Sequence, residues 1–174
     1  MPVDADNEEF EVGPKPAAPR PGLSLKARAV GLLSRREHSR MELQRKLAPH
    51  AQSPEALAEV LDELSREGWQ SDERFTQGWV HRKAVAHGLT RIVQDLKAQG
   101  IAPEAIATVR SALKETELSR AQAVWARKFG SRQIQLPLSQ AEYARQGRFL
   151  ASRGFSTDVI RRVLKDAYIP EKKD

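Results

Sequence analysis

Leu96-Lys-Ala-Gln-Gly100-Ile-Ala-Pro103-Glu-Ala-Ile106-Ala-Thr-Val109 and Leu150-Ala-Ser-Arg-Gly154-Phe-Ser156-Thr-Asp-Val-Ile160-Arg-Arg-Val163 carry one pattern twice. A leucine is followed by a glycine, an apolar residue, a helix-opening residue, an acid, and then an isoleucine and a valine on one helical face. Leu47, Leu57 and Val60 repeat the spacing a third time, around Ser53-Pro54-Glu55, but without the glycine. Each copy describes a helix, a turn that needs a left-handed residue, and a second capped helix packing back on the first. Such self-similarity is the signature of a tandem repeat, and it sets the expected fold.

Outward from these turns, apolar residues recur at helical spacing almost throughout. The spacing predicts a first helix over about Ser24–Arg35 with Leu25, Ala29, Leu32 and Leu33 on one face. Ser39 and Glu42 form a capping box, with the serine accepting the Glu42 amide and the carboxylate reaching back, before a short helix bearing Leu43 and Leu47. Ser53-Pro54 opens a third helix with Leu57, Val60, Leu61 and Leu64, which Gly68 ends. Ser71, backed by Asp72 and Glu73, caps a fourth that holds Phe75 and Trp79 and ends near Gly88. A fifth carries Ile92, Val93 and Leu96. A sixth opens at Pro103 with Ile106, Val109 and Leu113, and a separate seventh, about Glu117–Phe129, turns Leu118, Ala121, Val124 and Phe129 inward. After the loop Gly130–Pro137, Ser139 and Glu142 form a second capping box before Tyr143, Phe149 and Leu150, and Ser156 caps a last helix with Val159, Ile160, Val163 and Leu164. No alternating strand pattern occurs.

The expected architecture is therefore all-α: three tandem three-helix, helix-turn-helix-like repeats forming an elongated body. The repeats fall at residues 23–68, 69–114 and 115–168, before a short tail at 169–174. Residues 1–22 hold Pro2, Pro14, Pro16, Pro19 and Pro21 with few large apolar groups, and read as a disordered, acidic, proline-rich arm.

Charge is unevenly placed along the 174 residues, whose formal net charge is +6. Asp4, Asp6, Glu8, Glu9 and Glu11 outnumber Lys15 and Arg20 in the arm. Subtracting these from 29 basic and 23 acidic residues leaves 27 and 18, a body of net +9. A basic body suits an anionic partner, either nucleic acid or an acidic protein surface. There is no cysteine, which removes disulfides, thiolate nucleophiles and cysteine-ligated zinc, and fits a reducing cytoplasm. No stretch approaches the roughly 20 apolar residues of a membrane helix, and the N-terminus lacks a signal-peptide core, so a soluble protein with no membrane partner is expected.

The residue types of catalysis are present without their spacing. His38, His50, His81 and His87 form no zincin motif or i,i+4 metal pair. There is no phosphate-cradling glycine loop and no G-x-S-x-G elbow. Asp62, Glu63 and Glu67 lie beside Arg66 as a solvated helix face would. The expectation is a non-catalytic monomer without cofactor or metal. Candidate partner-binding residues are instead basic and recur in every repeat. Arg35, Arg36 and Arg40 flank the first turn, with Arg45 and Lys46 following. Arg82 and Lys83 close the fourth helix, and Arg91 lies just beyond. Arg127, Lys128 and Arg132 surround the long loop, and Arg145, Arg148 and Arg153 mark the eighth helix. Of the tryptophans, Trp79 lies on an apolar stripe, and Trp69, beside Gly68, reads as an anchor between repeats.

Arg35-Arg36-Glu37-His38-Ser39, then Glu42-Leu43 and Lys46-Leu47, resemble the opening of the bacterial RecX regulatory family. So do Gly68-Trp69 with Asp72-Glu73-Arg74-Phe75, Gly88 with Arg91-Ile92, Leu96 with Gly100-Ile101, and Arg148-Phe149-Leu150 with Arg153-Gly154-Phe155-Ser156. The resemblance runs from about Leu25 to Ala167. It implies tandem three-helix repeats that bind the RecA recombinase filament on DNA. It further implies inhibition of the filament's ATPase, strand-exchange and coprotease activities, and hence modulation of recombinational repair and the SOS response. Binding to single- or double-stranded DNA alone would be weak and non-specific. The acidic arm and the missing first glycine depart from the family pattern. The alternative from the helix-turn-helix units is a direct DNA-binding repressor.

Overall fold

The computed structural model describes residues 22–130 and 139–166, and their regular structure is wholly helical. The elements are α1 (Leu25–Leu33), α2 (Arg40–Leu47), a 3-10 turn (Ala48–His50), α3 (Pro54–Arg66), α4 (Asp72–Ala84), α5 (Leu89–Ala98), α6 (Pro103–Phe129), α7 (Gln140–Ser152) and α8 (Thr157–Asp166). The arm, the C-terminal tail and loop residues 131–138, Arg132 among them, lie outside the described residues.

Serines start the helices, as the sequence predicts at Ser39, Ser53, Ser71 and Ser139, and Ser24, expected inside the first helix, caps it as well. The hydroxyls of Ser24, Ser39, Ser53, Ser71 and Ser139 accept the amides of Ala27, Glu42, Ala56, Arg74 and Glu142, three residues on. Each such cap contributes about 1 kcal/mol. The reciprocal half of the two capping boxes is replaced: the Glu42 carboxylate turns to Arg36, and that of Glu142 to Arg145 at 2.8 Å. The two repeat glycines take the left-handed conformation, φ 72° at Gly100 and 84° at Gly154. In both turns the following amide bonds back to the repeat leucine, Ile101 to Leu96 at 3.2 Å and Phe155 to Leu150 at 3.3 Å. The first repeat, lacking the glycine, turns through its 3-10 segment with Ala51 extended at φ −84°.

The helices pack as three clusters in series. Ala29, Leu43, Leu47, Leu57, Leu61 and Leu64 form the first core, between α1, α2 and α3. Phe75, Ile92, Val93, Leu96, Ile101, Ile106 and Leu113 form the second, between α4, α5 and α6. Ala121, Val124, Leu150, Phe155, Ile160, Val163 and Leu164 form the third, between α6, α7 and α8. Burial of each large apolar side chain supplies about 1.5–3 kcal/mol.

One expectation is overturned. The predicted sixth and seventh helices are a single 27-residue helix, α6, which runs on unbroken through residues 114 and 115. Between Pro103 and Phe129 there is neither glycine nor a second proline, and alanine, leucine, lysine, glutamate and arginine dominate. Such residues propagate a helix wherever no breaker intervenes. Ile106 and Leu113 therefore serve the second core while Ala121, Val124 and Phe129 are buried further along the same rod.

Between the first and second clusters the link is polar. Asp72 Oδ1 accepts from the Arg40 amide and from Gln70 Nε2, both at 2.8 Å, and Gln70 is buried. Met41 packs on Gly100, where an added Cβ would lie 2.6 Å from its Cε. Trp69, expected as an anchor, is 48% exposed and belongs to none of the three apolar clusters; its carbonyl accepts from Arg74 Nη2 at 2.9 Å.

Candidate partner-binding surface

The basic residues singled out by sequence divide into those the fold consumes and those it leaves available. Most of the first cluster's are consumed. Arg36 grips the Glu42 carboxylate with both terminal nitrogens and also donates to the Glu37 carbonyl. Lys46 approaches the same carboxylate at 3.9 Å. Burial alone would raise the Glu42 pKa, but the Arg36 bond and the charges of His38 and Arg36 outweigh it and hold it below the usual range. Arg40 pairs with Asp62 at 2.7 Å, and Arg45 Nη2 donates to the Ala98 carbonyl across the inter-cluster link at 2.6 Å. Glu63 and Glu67 both hold Lys26, at 2.9 and 2.8 Å, so this acidic row is a strut between α1 and α3. Arg35 is exposed and makes no side-chain hydrogen bond or ion pair among the described residues.

The link between the second and third clusters is built backbone on backbone. The Gly88 amide donates to the Arg153 carbonyl at 2.8 Å, and the Thr90 amide to the Gly154 carbonyl at 3.2 Å. Glu117, buried on α6, receives the amides of Leu89 at 3.4 Å and Ser156 at 3.3 Å, at the starts of α5 and α8. One turn away, Arg120 donates to the His87 carbonyl at 2.8 Å and, at 3.0 Å, to that of Leu113. Burial lowers the Arg120 pKa, opposed by the Glu117 charge. Neither residue was singled out by sequence. Glu-Leu-Ser-Arg on a helix reads as surface, and only the change of buried face along α6 brings it inside.

Beside this link the available cations converge. Arg127 and Lys128, in the last turn of α6, line a shallow pocket of about 160 Å³ with Arg153, Phe149, Val124 and Ala86. Arg127 and Lys128 make no ion pair or side-chain hydrogen bond among the described residues, and no carboxylate lines the pocket. Arg153 is positioned without an acid: its guanidinium lies 5.1 Å from the Phe149 ring centroid, and Nη1 is 3.4 Å from the Ala86 carbonyl. Phe149 meets Phe129 edge to face at 5.3 Å, and Arg145 covers Phe129 at 5.7 Å while pairing with Glu142. Arg153, Phe149, Phe129 and Arg145 thus form a ladder between α7 and the end of α6, in which the cation–π contact fixes the Arg153 guanidinium while leaving its charge uncancelled.

The remaining candidates are spread out. Arg82 and Lys83 occupy the last turn of α4, just upstream of Ala86; Lys83 sits over Trp79 at 5.1 Å and Arg82 has no partner among the described residues. Arg148 is exposed and unpaired there as well. Arg91 turns to Asp95 at 3.3 Å. Trp125 donates to Gln146 at 2.7 Å and packs against the third core. Among the described residues no three histidine or acidic side chains are grouped to hold a metal, and no helix is long and apolar enough to cross a membrane.

Three family models match the chain in order: RecX first three-helix domain at residues 26–64, second at 71–109 and third at 115–164. A protein of Ralstonia nicotianae named Regulatory protein RecX is 48% identical over 151 residues, covering 87% of this chain and 92% of the relative. One of the same name from Neisseria meningitidis is 42% identical over 151 residues, covering 86% and 94%. In fold, the chain is similar to the crystal structure of RecX from Lactobacillus salivarius, with a TM-score of 0.65 and 16% identity over 82% of this chain and 93% of that one.

Proposed function

Since the chain belongs to the RecX family of regulatory proteins, we propose that it is a non-catalytic cytoplasmic regulator, acting as a monomer on the RecA–DNA filament. It restrains the filament's ATPase, strand-exchange and coprotease activities, and through them recombinational repair and the SOS response. The observation that carries this reading is the collection of uncompensated cations at the link between the second and third clusters. Three clusters in series reach several subunits of a helical polymer at once, and contacts spread in this way favour the assembled filament over its parts by effective concentration.

The test is DNA-dependent ATP hydrolysis by the cognate recombinase with and without this protein. Binding to recombinase-coated and bare single-stranded DNA is measured alongside at two salt concentrations. Lowered turnover, tighter binding to coated DNA and affinity partly retained at higher salt support the proposal. Equal affinity for both with unchanged hydrolysis overturns it in favour of a direct DNA binder.

A further inference from the structure

We propose that the pocket formed by Arg127, Lys128, Arg153 and Phe149 binds a phosphodiester group of a nucleic-acid strand. The inference rests on the reading above only in taking DNA to be within reach; its chemistry comes from the pocket. Three cations from α6 and the end of α7 surround one concavity that no carboxylate of the described residues lines. In the first cluster, by contrast, Arg36, Arg40 and Lys46 all meet carboxylates.

Arg153 is decisive. A guanidinium ordered by an acid has spent its charge, whereas Phe149 and the Ala86 carbonyl order this one without neutralising it. The ladder through Phe129 to Arg145 stiffens the arrangement from behind. A carboxylate presents two oxygens in one plane and is matched by a single guanidinium fork. A phosphodiester can take the same fork, but its two charged oxygens sit on a tetrahedral centre with two ester oxygens out of their plane, so it also accepts donors converging from different elements, as here. Arg127 and Lys128 also favour the C-terminal end of the α6 dipole, but any last-turn position would serve that purpose, and it requires no third cation across a pocket.

The experiment titrates the full chain against fluorescent single- and double-stranded oligonucleotides of one length, over a series of salt concentrations. Replacing two phosphate contacts in Arg127→Gln/Lys128→Gln lowers the log–log salt slope by about 1.4 on single strands and about 1.8 on duplex. The two arms thereby show which strand form the pocket takes. Arg110→Gln/Lys114→Gln removes two cations of the same helix that have no ion pair among the described residues and do not line the pocket, and leaves the slope nearer the wild-type value. Phe149→Leu keeps the apolar filling and every charge while releasing Arg153, so affinity falls several-fold with the slope almost unchanged.

An unchanged slope in Arg127→Gln/Lys128→Gln, or a change matched by the Arg110/Lys114 variant, overturns the proposal. So does a poly-glutamate peptide that displaces the oligonucleotide as readily as unlabelled DNA does, which would assign the pocket to an acidic protein surface. Filament ATP hydrolysis with the wild-type chain separates the two readings. If it responds while the pocket variant binds oligonucleotide normally, the pocket assignment alone falls; if it does not respond, the regulatory reading falls and the oligonucleotide data still decide the pocket.

Discussion

Gly88 and Gly154 touch through their backbones: a methyl group on Gly88 would stand 2.3 Å from the Gly154 carbonyl oxygen. Two chain segments far apart in sequence approach closely enough for Gly88 and Thr90 to donate to Arg153 and Gly154. Gly88→Ala is therefore expected to cost about 1–3 kcal/mol by forcing the backbones apart. Gly31→Ala is its control, since a Cβ there meets nothing within 4 Å, and a glycine-to-alanine change inside an exposed helix stabilises by about 0.5–1 kcal/mol. Thermal melting of the two variants should move in opposite directions.

The repeat register predicts equivalent losses in two cores. Ile106 and Ile160 are 4% and 9% exposed at matching positions. Ile→Ala at either should cost about 2–5 kcal/mol in urea unfolding. Unchanged stability of a folded Ile106→Ala variant would contradict the register.

Glu117 holds two helix starts with one carboxylate oxygen. Glu117→Ala leaves the amides of Leu89 and Ser156 without an acceptor and should cost about 1–3 kcal/mol. Glu117→Gln keeps an acceptor in place and should lose less. The reverse order in denaturant midpoints would mean that the charge beside Arg120, and not the two bonds, is what the buried side chain contributes.

His38 makes the first cluster acid-sensitive. It is buried, and burial lowers its pKa from 6.5 despite the attraction of Glu42, whose Oε2 is 3.0 Å from Nδ1; Arg36 and Lys46 add to the lowering. As pH falls through 6.5 the unfolded chain takes up the proton first, so the unfolded state binds more protons and stability declines with acid until the folded His38 also titrates. Urea midpoints at about pH 7.5 and 5.5 should show this decline in the wild type and a smaller one in His38→Gln.

Arg82 and Lys83, beside the pocket in sequence, give a functional prediction. Reversing both to Glu should weaken binding to recombinase-coated DNA by about tenfold or more, the order of two lost phosphate contacts at moderate salt. Helical content should stay intact, since both sit at the end of α4. Retained binding with a normal circular dichroism spectrum would remove this turn from the partner-binding surface.

Local signals were the legible ones. Serine caps and the glycine turns at 100 and 154 depend on residues within six positions of each other, and the sequence reading of them agrees with the structure. The expected division of α6 into two helices does not hold, because its buried face changes along the rod and no residue between Leu113 and Glu117 breaks a helix. Electrostatics was half legible. The basic residues could be named, but whether each is spent depends on partners as remote as Asp62 for Arg40 and Ala98 for Arg45. Their convergence at the pocket joins Arg127 and Arg153 across a loop, a neighbourhood that no spacing rule encodes.

A helix that lies in two cores also acts as a counting device. About 100° of rotation and 1.5 Å of rise accompany every residue of α6, so its length sets the azimuth of the third cluster against the second. Many substitutions over Lys114–Thr116 would keep that angle, but one inserted residue would swing everything downstream by more than a quarter turn. The Gly88–Gly154 seam would then have to break or the helix to bulge. Across this stretch the number of residues matters more than their identity.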